Sequence, residues 1–275
     1  MSSANQTRSD RVIKCERGIC GESPVELIGE EPLLIRVDGE PYTVVMRTPG
    51  EEMFHAAGLC LGEGIVDFPD DFASVGYCED IDPNVIEVRL KPERREKVAH
   101  ILQRRSFVSQ TSCGICGKQM IEDLEQELLP VEDGFSVDIS RIFDCVKKLS
   151  DNQDFYPRTR GSHAALLFDE HLEILAFAED VGRHNALDKA VGKAFMNRQL
   201  PGARILVMSS RISYELVQKA ARAHLPMMVS KSRPTALAAQ MGRMLNMTLA
   251  CVFGDSKLMI ICGEERISKK EMQDT

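Results

Sequence analysis

Residues 163–195 read HAALLFDEHLEILAFAEDVGRHNALDKAVGKAF, and the fold turns on them. Two apolar runs, His163–Phe168 and Leu172–Phe177, are strand-sized and are separated by the polar turn Asp169-Glu170-His171. A charged, glycine-containing stretch, Glu179–His184, follows. Asn185, a residue type that caps helices, then precedes Leu187, Ala190, Val191, Ala194 and Phe195 at helical spacing. Downstream the pattern alternates: strand Arg204–Met208, helix Ser213–Ala223, strand Met227–Ser230, helix Thr235–Leu245, strands Thr248–Phe253 and Leu258–Ile261. Strand–helix–strand units of this kind predict a mixed or parallel sheet covered by helices.

Upstream the pattern is different. Leu33–Val37 and Tyr42–Met46 are β-rich and flank Asp38-Gly39, a hairpin signal. Met53, Ala56, Ala57 and Cys60 share a helical face that ends near Gly62 and Gly64. Ser74–Tyr77 and Val85–Leu90 read as a further strand pair, and Glu93–Gln103 as a charged helix. Ser106–Lys118 lacks periodicity and reads as a loop, before a helix carrying Ile121, Leu124 and Leu128. Asp138 is placed to cap a helix bearing Ile139, Ile142, Phe143, Val146 and Leu149, and Asp151–Arg160 reads as a polar connector. The expected organisation is a loose polar arm (1–20), a small α+β domain (21–105), a cysteine-bearing loop with its linking helix (106–135), an α/β domain (136–265) and a tail (266–275).

The chain has 275 residues, 43% of them apolar, enough for a real core. Its net charge of −8 argues against bulk binding of nucleic acid or an anionic membrane, though not against a local phosphate site. The longest apolar runs, such as Leu258–Cys262, are far short of a membrane span. The N-terminal MSSANQTRSD has no secretory character. Nine scattered cysteines without such a signal point to a reducing cytoplasm, where a disulfide framework is not expected. Cys15 and Cys20 accordingly read as incidental, and Cys60, Cys78, Cys145, Cys251 and Cys262 as small buried hydrophobes.

Cys113-Gly114-Ile115-Cys116 is the exception. Two thiols at this spacing can share a metal, form a disulfide or relay sulfur, and flanking glycines expose them. A structural zinc site needs about four ligands, and the chain has no second pair of this kind. Lys118 and the start of the following helix favour a thiolate, the form that accepts a sulfane sulfur. Separately, Arg183 and His184, Ser209-Ser210-Arg211, and Ser230–Thr235 each lie where a strand gives way to a helix. Hydroxyls and cations gathered at successive strand ends suit an anionic, phosphorylated ligand. His163 reads as a hydrogen-bonded histidine of the rim or core.

Taken together, TSCGICGK (111–118), EDVGRHNALDKAVG (179–192) and SSRISYELVQKAARA (209–223), with TPGEEMFHAAGLCLGEGI (48–65) and GSHAALLF (161–168), resemble the FdhD/NarQ family of formate dehydrogenase accessory proteins. The resemblance implies a sulfurtransferase-type sulfur carrier. It would take sulfur as a persulfide from a cysteine desulfurase and pass it to the molybdenum cofactor, bis(molybdopterin guanine dinucleotide), to activate formate dehydrogenase. Cys113 would bear the persulfide and Cys116 would be its partner. It further implies a homodimer, a cytidine-deaminase-like fold for the C-terminal α/β domain, and cofactor contacts from Val252, Phe253, Gly254, Asp255, Ser256 and Lys257, beside Arg183, His184, Ser210 and Arg211. In the 252–257 stretch the family's first basic residue is missing and Lys257 stands where the family carries Arg. The deaminase H-x-E and P-C-x-x-C zinc arrangement is absent, so no metal is expected. The alternative is a non-catalytic chaperone that binds cofactor and apo-enzyme.

Overall fold

The computed structural model describes residues 6–77, 83–104, 128–254 and 256–268. Its strands are β1 (Thr7–Glu16), β2 (Ile19–Ile28), β3 (Glu31–Val37), β4 (Glu40–Arg47), β5 (Phe72–Tyr77), β6 (Val85–Leu90), β7 (Val137–Asp138), β8 (His163–Phe168), β9 (Ile174–Asp180), β10 (Ile205–Met208), β11 (Met227–Ser230), β12 (Thr248–Phe253), β13 (Lys257–Cys262) and β14 (Ile267–Ser268). Its α-helices are α1 (Glu52–Gly62), α2 (Pro92–Arg104), α3 (Ile139–Asp151), α4 (Tyr156–Thr159), α5 (Arg183–Met196), α6 (Tyr214–Arg222) and α7 (Ala236–Met244).

The C-terminal half is built on a six-stranded mixed sheet in the order β13-β12-β11-β10-β8-β9. β10, β11 and β12 run parallel, as their intervening helices require, and the hairpins β8–β9 and β12–β13 add antiparallel margins. Both faces are buried, so successive residues of one strand enter different cores. Ala165, Leu167, Leu206, Met208 and Leu249 join the core shared with α1, α5 and α6, whereas Leu166, Phe168, Ile205, Val207 and Ala250 pack with Ile142, Val146 and Leu149 of α3. The smaller sheet, β4-β3-β6-β5, turns Leu33, Ile35, Ile86 and Val88 into the first of these cores.

The two halves meet where α1 crosses α5. Here backbone meets backbone: a β-carbon on Gly192 would overlap the Phe54 carbonyl, and one on Gly58 would overlap the Asp188 carbonyl. Only glycine permits so close an approach.

Several sequence expectations are met locally. Asp138 caps α3 by accepting from the Ser140 amide at 2.8 Å. Thr235, read as the first residue of its helix, stands just outside α7 and caps it through the Ala238 amide at 3.2 Å. Asp38 and Gly39 both have positive φ, 50° and 86°, as a tight hairpin turn demands. Others are corrected. β9 runs on to Asp180 rather than ending at Phe177. α5 starts at Arg183 with Gly182 as its cap, not Asn185, whose side chain is used elsewhere. The connector 151–160 contains the single turn α4. The stretch read as a loose arm holds β1 and the tip of a long hairpin: β1 pairs antiparallel with β2 from Thr7↔Ile28 to Glu16↔Ile19, so the 20/21 boundary falls inside β2. Nor are Cys15 and Cys20 incidental, because they face each other in this register and are disulfide-bonded. The expected loop 106–118 and the start of the helix at 121–128 lie outside the described residues.

Candidate functional site at one rim of the large sheet

The registers align the ends of all six strands. Met208, Ser230 and Cys251 are neighbours across the parallel strands, Ala165 faces Met208, His163 faces Asp180, and Phe253 faces Lys257. One rim of the sheet therefore receives His163, the 181–184 turn, the 209–211 loop, the 230–235 loop and the β12–β13 turn. This rim includes the carboxyl ends of the parallel strands, where open α/β sheets bind ligands. Arg183, His184, Ser210, Arg211 and the described part of 252–257 all belong to it. Asp255, and the two thiols Cys113 and Cys116, lie outside the described residues.

Glu179 and Asp180, though charged and in the motif, are structural. The Glu179 carboxylate accepts from the amides of Asp154, Phe155 and Tyr156 at 2.7–2.9 Å, and from the Ser162 hydroxyl. Asp180 is fully buried. It accepts from the Gly182 amide (2.8 Å), Asn185 Nδ2 (2.9 Å) and the Thr48 amide (3.1 Å), and pairs with Lys189 Nζ at 2.6 Å. Lys189 also donates to the Thr48 carbonyl (2.7 Å), and Asn185 to the Met46 carbonyl (2.7 Å). The 181–185 turn is thereby locked to the β4–α1 connection, which fixes Arg183 and His184 at the start of α5.

Arg183 is half-buried, and its Nε meets no partner among the described residues. His184 Nε2 lies 2.8 Å from the Glu215 carboxylate at the start of α6. The neighbouring His184 imidazole holds the Glu215 carboxyl below the usual range. His163 is pushed below the ordinary imidazole value, first by burial and then by the neighbouring Arg183 guanidinium, so it is neutral at pH 7. Ser230 ties two loops together: its hydroxyl reaches the Ser210 carbonyl at 2.6 Å and accepts from the Ser232 amide at 2.9 Å. Ser210 is buried and Arg211 exposed. Val252 is buried, Gly254 takes a left-handed φ of 60°, and Ser256 and Lys257 are exposed. Arg233 stacks over Phe253 at 5.6 Å, bringing a further guanidinium to the turn. Glu215 escaped the sequence reading, since nothing in its spacing from His184 shows that α5 and α6 start side by side.

Among the described residues the rim thus gathers Arg183, Arg211, Arg233 and Lys257, with the carboxylate of Glu215 beside His184. A cavity of about 220 Å³ lies against the opposite side of the same motif, lined in part by Pro49, Phe155, Glu179, Lys189 and Lys193. Its cations are already engaged, Lys189 by Asp180 and Lys193 by Glu51 and the Phe177 carbonyl. Among the described residues no helix is long and apolar enough to cross a membrane.

An α/β frame with a cationic strand-end rim and a Cys-x-x-Cys in the chain defines the class. Residues 28–268 match the model of the FdhD/NarQ family, and the chain belongs to that family. It is 35% identical over 272 residues to a protein of Streptomyces coelicolor named sulfur carrier protein FdhD, covering 95% of this chain and 96% of that one. A protein of the same name from Mycobacterium tuberculosis is 35% identical over 257 residues, covering 89% and 92%. A crystal structure assigned to a formate dehydrogenase accessory protein from Desulfotalea psychrophila superposes with a TM-score of 0.78. It covers 96% of this chain and 100% of that one at 19% identity, a likeness of fold.

Proposed function

We propose that the chain is a sulfur carrier in the maturation of formate dehydrogenase, acting in the cytoplasm as a homodimer. The observation that carries this is the match to relatives named sulfur carrier along nearly the whole length, in a chain that holds the Cys113-x-x-Cys116 pair. The Cys113 thiolate attacks the terminal sulfur of a cysteine desulfurase persulfide. The desulfurase thiolate leaves, and the sulfur is held as Cys113–S–SH, with Cys116 as relay or resolving partner. The acceptor is the molybdenum cofactor in its bis(molybdopterin guanine dinucleotide) form, bound as substrate. Its phosphates suit the donor set of the rim: guanidinium groups of Arg183 and Arg211, the Ser210 region and the β12–β13 turn. The six-stranded mixed sheet would then be a cytidine-deaminase-like frame used for binding rather than for zinc chemistry.

Intact-mass spectrometry after incubation with an active cysteine desulfurase and free cysteine tests the reading. The wild type and Cys116→Ala gain one sulfur, and Cys113→Ala gains none. Absence of any gain in the wild type, with the desulfurase charging another acceptor, moves the function to a cofactor-binding chaperone.

A further inference from the structure

The β1–β2 hairpin presents a second pair of thiols. Arg17 and Gly18, with φ of 49° and 85°, form a two-residue turn of the kind that matches strand twist. Glu16↔Ile19 is the closing pair, so Cys15↔Cys20 is the next pair out, and their Cα atoms are 4.0 Å apart. In an antiparallel ladder the close pairs are the non-hydrogen-bonded ones, whose side chains are driven together on one face. Both cysteines are exposed, and the tip between Ile13 (72% exposed) and Ile19 (80%) touches no core. As a staple the link does little, because the loop it closes is among the shortest possible and the ladder already closes it. As a pair of reactants it is well placed. After reduction the register still holds the two sulfurs face to face, so attack of one on the other is intramolecular.

We propose that the reduced Cys15/Cys20 dithiol is a second sulfur-handling site, whose substrate is a persulfide and whose product is sulfide. One thiolate attacks the outer sulfur of a donor R–S–SH. The donor's S–S bond breaks, R–SH leaves, and the attacking cysteine becomes Cys–S–SH. The second thiolate attacks the inner sulfur of that persulfide, forming the Cys15–Cys20 disulfide and expelling HS⁻. The two cysteine sulfurs are oxidised and the sulfane sulfur is reduced to sulfide, so no further oxidant enters. A dithiol reductant resets the pair by opening the disulfide. The site would discharge surplus persulfide, and it stands independently of the carrier reading because the persulfide can be supplied from outside.

The test uses the full chain with Cys113→Ala and Cys116→Ala, reduced with dithiothreitol, desalted, and mixed with glutathione persulfide. About one sulfide per chain is expected, released roughly tenfold or more faster than from the same chain also carrying Cys15→Ser and Cys20→Ser, since closure is intramolecular. Peptide mass spectrometry should show the disulfide re-formed. With only Cys20→Ser or only Cys15→Ser, closure is lost and sulfide release falls to the background. Release equal to the background in the parent chain overturns the proposal. So does a disulfide that dithiothreitol does not open in the folded chain.

Discussion

Replacing Lys189 by Met probes the interaction that holds the site turn. Methionine keeps the apolar stem of lysine and removes its charge. Both partners are buried: Lys189 is 1% exposed and Asp180 is 0%. Their contact is 2.6 Å. The substitution leaves the Asp180 carboxylate with three donors, the amides of Gly182 and Thr48 and the Asn185 side chain, and strips the Thr48 carbonyl of its partner. Breaking a buried pair from one side costs about 3–5 kcal/mol, and an unsatisfied carbonyl about 1–3 kcal/mol. The surviving donors to Asp180 keep the total near the lower end of the sum, about 4–5 kcal/mol. That is a large fraction of the stability of an ordinary domain. Urea unfolding followed by circular dichroism measures it. The double variant Lys189→Met with Asp180→Asn removes both charges and should lose less than the sum of the two single changes, because the orphaned charge is gone. A loss below about 1 kcal/mol for Lys189→Met, or strict additivity in the double variant, would refute the account.

Two further outcomes follow from the core. His55 is fully buried in α1, with neither ring nitrogen partnered among the described residues, and burial, then Lys189, holds it well below the ordinary imidazole value of 6.5. The unfolded chain therefore takes up a proton below pH 6.5 that the folded chain refuses. Stability should fall by up to about 1.4 kcal/mol per pH unit from there downward until the folded value is reached. His55→Leu should flatten the urea midpoint between pH 5 and 6.5, and an unchanged slope would exclude His55 as the source. Gly192→Ala drives a methyl into the Phe54 backbone and should cost about 1–3 kcal/mol or more in thermal melting. A melting temperature at or above that of the parent would mean that α1 and α5 can part at no cost.

The sequence made the large sheet legible because each buried strand is short, apolar and bounded by a turn or a capped helix. Asp138 marked its helix through a contact two residues away. Asn185 misled for the opposite reason. Its type suits an N-cap, but its amide reaches Met46, which is 139 residues distant, and no local pattern encodes that. The β1–β2 hairpin was missed because neither face of it is buried, so no alternation of apolar and polar residues marks it. Arg17-Gly18 was the available signal, weaker than the Asp38-Gly39 turn that was read correctly. The grouping of Arg183, Ser210 and the 230–235 segment at strand ends followed from strand–helix alternation, and 252–257 from the family resemblance, whereas the Glu215 partner of His184 required the helices in place.

The crossing of α1 over α5 bears on how a ligand can arrive. Many two-part proteins swallow their ligands by swinging one half against the other about a flexible joint. Here that joint is closed, since the Phe54 and Asp188 carbonyls rest against glycine backbone and leave no plane on which the halves can slide. On the reading proposed above, an anionic ligand reaches the strand-end rim without the described halves parting at this crossing, and its capture should need little reorganisation there.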